Sequence, residues 1–83
     1  MIVKRMNNKD ERRRQFLDVA AMIVVVHGPE SMTCAAIARR CHVSTSLVLK
    51  YFKNRERLLE ELATDAKARR DVHLLGALRR AVA

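Results

Sequence analysis

Only three residues of the 83, Gly28, Pro29 and Gly76, belong to the two types that most readily interrupt a backbone. A chain with so few breakers is expected to form long helices and few loops. The apolar pattern agrees. Phe16, Val19, Ala20, Ile23 and Val26 recur at helical spacing and give a first helix one apolar face. Asn8 followed by Glu11 fits its start, a capping side chain with a reciprocal acid three residues on. The β-branched run Ile23 to Val26 could be read as a strand, but it continues a helical pattern and ends at Gly28-Pro29, a helix stop.

Three later capping residues divide the rest of the chain. Thr33 opens a second, short helix with Ile37 and Cys41 inward, Ala36 or Ala38 allowing close approach, and Arg39 and Arg40 outward. The segment Cys41-His42-Val43-Ser44 reads as a tight turn. Ser44 then caps a third helix of about two turns, with Val48 and Phe52 inward. Asn54 caps a fourth helix with Leu58, Leu59, Leu62, Ala63 and Ala66 on its inner side. That helix is expected to continue through Leu74, Leu75 and Leu78, with one weak point at Gly76. The fold class is therefore all-α: a compact three-helix domain followed by a longer fourth helix. The expected division is a basic flexible arm over 1–7, a folded domain over 8–66 and a helical extension over 67–83. Leu74, Leu75, Leu78 and Val82 of the extension form a candidate homodimer seam, because the fourth helix already closes the core and leaves them uncovered.

Charge points to a polyanion. Lys+Arg 17 against Asp+Glu 9 gives a net charge of +8. Residues 1–53 carry ten of the cations and four of the acids, a net of +6, so the front of the chain is the better candidate for meeting phosphates. An aromatic content of 4% is too low for a platform that stacks single-stranded bases. No signal peptide is read at the N-terminus, and the longest apolar run, Val19 to Val26, is far shorter than a membrane span. The expected compartment is a bacterial cytoplasm, at the nucleoid, with both cysteines as free thiols.

Two short helices joined by a four-residue turn, the second flanked by hydroxyl and basic residues, make a helix-turn-helix pattern. In such a pair the second helix protrudes far enough to enter a major groove of double-stranded DNA. From Arg12 to Leu62 the chain resembles the N-terminal, homeodomain-like domain of the tetracycline-repressor family. The matching residues are Phe16-Leu17-Asp18-Val19-Ala20, Gly28, Met32-Thr33, Ile37-Ala38, Val43-Ser44, Tyr51-Phe52 and Lys53-Asn54-Arg55-Glu56 with Leu58-Leu59. Their order and spacing carry the resemblance; no single piece does. It implies that Thr45, Ser46 and Leu47 meet base edges, and that Thr33, Ser44, Lys50, Tyr51 and Arg55 hold phosphates. It also implies a repressor that binds a palindromic operator as a dimer.

The chain departs from the family's pattern at three positions and in length. Leu49 stands where the family has tyrosine, His42 where it has a turn glycine, and Ala35 at a base-contacting position. Leu47 and Leu49 on the DNA face could pack on thymine methyl groups instead. The family also carries a further helical domain that binds a small molecule and dimerises. About twenty residues after the motif are too few for an enclosed ligand cavity, commonly several hundred Å3. No small-molecule effector is expected in this chain, which is either a fragment or a stand-alone short relative; the Met1 start favours the latter.

Other classes fare worse. Cys34 and Cys41 lie about 10 Å apart along a helix, too far for a disulfide. Together with His27 and His42 they match no zinc pattern, so neither a metal nor any other cofactor is expected. No nucleophile–base pair, glycine-rich phosphate loop or paired carboxylates argue for an enzyme. The alternatives are an architectural or DNA-segregation protein of low sequence preference, and a protein-binding adaptor using Leu47 and Leu49.

Overall fold

The computed structural model describes residues 8–82, and side chains from Lys9 to Arg79. Among the described residues there are five α-helices and no strand: α1 (Asn8–His27), α2 (Cys34–Cys41), α3 (Thr45–Phe52), α4 (Arg55–Ala68) and α5 (Val72–Val82). A short 3-10 turn, Pro29–Ser31, links α1 to α2. The first turn of α1 carries Asp10 and Glu11, which favour the positive end of its dipole. The side chain of Asn8, the expected cap, lies outside the described residues, as does the arm 1–7 with Lys4 and Arg5.

α1 ends at Gly28, which adopts φ 96° and donates its N–H to Val24 O. A side chain is strained there because of the backbone, φ 96° with ψ 155°, and not for want of space, since the neighbour nearest a Cβ is the tip of the exposed Glu30 side chain. The core is assembled from every helix. Phe16, Ala20, Ile23 and Val24 of α1 meet Met32, Ile37 and Ala38, then Val48 and Phe52, then Leu58, Leu62 and Ala66. Fully burying a side chain of this size is worth about 1.5–3 kcal/mol, so the core supplies most of the driving force. Phe16 meets Phe52 edge-on at 6.3 Å and Tyr51 at 5.3 Å, which fixes α3 across α1. On α1 the buried stripe runs through Leu17 and Val24, and Val26 is 64% exposed, contrary to expectation. At 100° per residue the buried residues Phe16, Leu17, Ala20 and Ile23 centre the stripe about 30° from Phe16, so Val24 lies about 50° from that centre and Val26 about 110°.

The long fourth helix does not form as a single element. α4 stops at Ala68, and Gly76 sits inside α5 with nothing within 4 Å of its would-be Cβ. The break is made by Arg70, left-handed at φ 55°, with Arg70 N–H donating to Lys67 O and Asp71 N–H to Ala66 O. Asp71 then caps the next helix, its carboxylate accepting from Leu74 N–H at 3.1 Å. This turn folds α5 back over α1 and the 3-10 turn. Leu74, Ala77 and Leu78 are buried there, 2%, 9% and 4% exposed. The expectation that Leu74 and Leu78 are left uncovered is therefore corrected: this chain's own core covers them. Leu75 is half-buried, and the side chain of Val82 lies outside the described residues.

A second set of contacts braces α1 against α4. Arg14 grips Asp65 with two nitrogens, at 2.7 and 2.8 Å, and also pairs with Asp18 at 2.9 Å. Arg13 pairs with Glu61 and lies over the Phe52 ring at 5.0 Å. Arg69 reaches Asp18 at 3.3 Å and Asp65 at 3.5 Å. The hydrogen bond from Arg14 holds the Asp65 carboxyl below the usual carboxylate range, against a smaller opposing effect of burial.

Candidate nucleic-acid interface

Two helix N-termini are built in the same way. Thr33 is extended, at φ −127° and ψ 161°, and its Oγ1 accepts from Ala36 N–H at 3.0 Å. Ser44, at φ −75° and ψ 151°, accepts from Leu47 N–H at 3.2 Å. Both residues are exposed. Each hydroxyl accepts with its oxygen and keeps its hydrogen to donate, while the other first-turn amides and the dipole favour an anion. Between the two helices the chain reverses at His42, left-handed at φ 58°. Val43 N–H donates to Ala38 O at 3.0 Å and His42 N–H to Arg39 O at 3.3 Å. Histidine thus takes the place in which a glycine would fit more easily.

α3 buries Val48 and Phe52, so the opposite face turns to solvent. Thr45, Ser46, Leu49 and Lys50 are exposed, and with Ser44 they form one continuous edge. Leu49 is 40% exposed, whereas Leu47 is half-buried and packs on the core. The two leucines are therefore not equivalent apolar contacts. Tyr51 is half-buried, its ring pinned by Phe16 and by the Arg13 guanidinium 6.0 Å from its centre. Ala35 is exposed in the first turn of α2, where only its backbone can donate.

Among the described residues the cations fall into two groups. Arg13, Arg14, Arg57 and Arg69 are each paired with a carboxylate. Arg12, Arg39, Arg40, Lys50, Lys53, Arg55, Lys67, Arg70 and Arg79 have none within pairing distance, and of these Arg39, Arg40, Lys50 and Lys53 lie on or beside α2 and α3. Arg40 meets the His27 ring nitrogen at 3.3 Å. From sequence, Arg39 faces outward but has no assigned role, and Lys53 is only part of a matching string. What marks them is the absence of a carboxylate partner beside two capped helix starts, which spacing alone does not disclose. Of Arg12-Arg13-Arg14, only Arg12 keeps its charge unpaired. Arg55 does not join the outward edge: it is half-buried and donates from Nε to Met32 O at 3.0 Å and from Nη2 to Pro29 O at 2.8 Å.

Among the described residues no group of three or more His, Cys, Asp or Glu side chains is placed to hold a metal. Cys34 and Cys41 are free, and burial raises both thiols, which disfavours the reactive thiolate. A depression of about 690 Å3 at the end of α3 is lined by Arg13, Lys50, Lys53 and Glu61 among others and opens to solvent. No helix among the described residues is long and apolar enough to cross a membrane.

The family model for bacterial regulatory proteins of the tetR family matches residues 16–62, more than half of the chain. The chain belongs to the TetR family. The match spans the core of α1, both capped helix starts and α4 as far as Leu62. Over 54 residues the chain is 41% identical to the HTH-type transcriptional regulator BetI of Klebsiella pneumoniae (strain 342), covering 65% of this chain and 28% of that protein. BetI of Escherichia coli (strain K12 / DH10B) is 39% identical over the same length, with the same coverage. The chain thus spans little more than a quarter of the length of these relatives. No solved structure matches it.

Proposed function

We propose that this TetR-family domain binds double-stranded DNA as a transcriptional regulator, acting as a repressor by occupying a promoter. The observation that carries the reading is the coincidence of two capped helix N-termini with an outward α3 edge whose Lys50, like neighbouring Arg39 and Lys53, has no carboxylate partner. α3 enters the major groove. Thr45, Ser46, Leu49 and, at its margin, Leu47 meet base edges, Leu49 by packing on a thymine methyl. Thr33, Ser44, Lys50 and Tyr51 hold phosphates and set the register. Two copies bind a palindrome with recognition helices about 34 Å apart, reading successive major grooves. The BetI relatives are HTH-type transcriptional regulators, which supports the same class.

The test is selection of genomic fragments by the protein, with competitor DNA and varied salt. The reading expects one or a few enriched palindromic sites. Steep salt dependence with no enriched site would mean that phosphate contacts dominate and would favour an architectural protein.

A further inference from the structure

Arg55 is the first residue of α4, directly after the Asn54 cap, yet its side chain serves another part of the molecule. Its two hydrogen bonds, to Pro29 O and Met32 O, grip the start of the 3-10 turn and the residue that follows it. Pro29 O also accepts from Met32 N–H at 3.1 Å, so the guanidinium reinforces a turn that is already closed. Met32 is fully buried, and the next residue is Thr33, the α2 cap. Among the described residues no other side chain from α2 to α5 hydrogen-bonds the backbone of residues 29–32. Ala77 of α5 lines the same depression as Arg55, Pro29 and Gly28, partly covering the fork from that side.

We infer that Arg55 is a positioning residue for DNA binding. It sets the α2 N-terminus against α4 and is not itself a phosphate ligand. This rests on the DNA-binding reading above. A planar fork can hold two carbonyls at once in a fixed relation, and an ammonium on a flexible stem cannot hold that relation. Loss of Arg55 then frees the turn before Thr33 and leaves the Ser44 cap and α3 in place.

The experiment compares wild type, Arg55→Met and Arg55→Lys on one duplex site across a salt series, with amide hydrogen exchange on the free proteins. For Arg55→Met, affinity is expected to fall about tenfold at every salt while the slope of log K against log salt stays unchanged. Arg55→Lys, although it keeps the charge, is expected to weaken binding as well. In both variants the Ala36 amide, capped by Thr33, should exchange about tenfold faster, with the Leu47 amide, capped by Ser44, unchanged. A slope reduced by about 0.9 in Arg55→Met, with Arg55→Lys binding as wild type, would identify a phosphate ligand and overturn the inference while leaving DNA binding intact. Equal acceleration at Ala36 and Leu47 would also overturn it, whether or not DNA binds. Wild type that binds no duplex would instead remove the functional reading beneath it.

Discussion

The seam between α1 and α4 and the outer surface of α2 and α3 are both rich in cations, but they use them in opposite ways. At the seam Arg13 pairs with Glu61, and Arg14 and Arg69 share Asp18 and Asp65. The charges there hold two helices together. On α2 and α3, Arg39 and Lys50 face solvent with no carboxylate within pairing distance, beside two hydroxyl caps. A net charge of +8 is therefore a poor guide to where a polyanion binds. The clustering of unpaired Arg39, Lys50 and Lys53 beside two capped helix starts is the better guide, and that clustering belongs to the folded chain.

Phe52 ties the two regions together, packing on Phe16 and under the Arg13 guanidinium. Phe52→Ala is expected to cost about 3–5 kcal/mol and to weaken both regions at once, which denaturant unfolding measures. Asp65→Ala acts on the seam alone. Leaving Arg14 without its bidentate partner should cost about 1–2 kcal/mol, a figure discounted because the Arg14 side chain stays 34% exposed. The salt slope of DNA binding should not change. A rise in slope would mean that a freed Arg14 reaches DNA, and the two regions would not be separate.

The seam also has a pH signature. The folded Asp65 carboxyl titrates below its unfolded value of about 3.9, so its contribution is full above that value. It is lost as pH falls through the lower folded value. Asp65→Asn should therefore be less stable than wild type near neutrality, with the difference shrinking in acid; a constant difference across the pH range would remove the ion pair as the cause. Lys50→Ala is the mirror experiment on the other surface. Stability should change by no more than about 0.5 kcal/mol, while the salt slope falls by about 0.9. The smallest expected effect is at His42, where glycine relieves a left-handed backbone: His42→Gly should raise stability by about 0.5 kcal/mol.

Much of the fold is legible from capping residues. Thr33, Ser44 and Asn54 each accept the N–H three residues on, as their chemistry suggests. The missed break between α4 and α5 has a physical cause. Three non-glycine residues, His42, Lys53 and Arg70, hold the positive-φ positions at or just after the ends of α2, α3 and α4, so these three helix ends, unlike that of α1 at Gly28, do not carry glycine as their mark. The available signal was Asp71, a capping residue ahead of Leu74, which outweighed the continuous leucine spacing. At the candidate site the exposed hydroxyls and Lys50 follow from periodicity. The inward turn of Arg55 and the pairing of Arg13 and Arg14 do not, because their partners lie 23 to 51 residues away in sequence.

The central claim is that the α3 edge meets duplex DNA. The direct measurement is duplex binding across a salt series by wild type and by Ser46→Ala/Lys50→Ala, each shown to melt at the same temperature. Salt-dependent binding by wild type, with specific affinity lost and slope reduced in the double variant, is the predicted result. Equal binding by both proteins, with equal slopes, would contradict the account and move the interface elsewhere on the molecule.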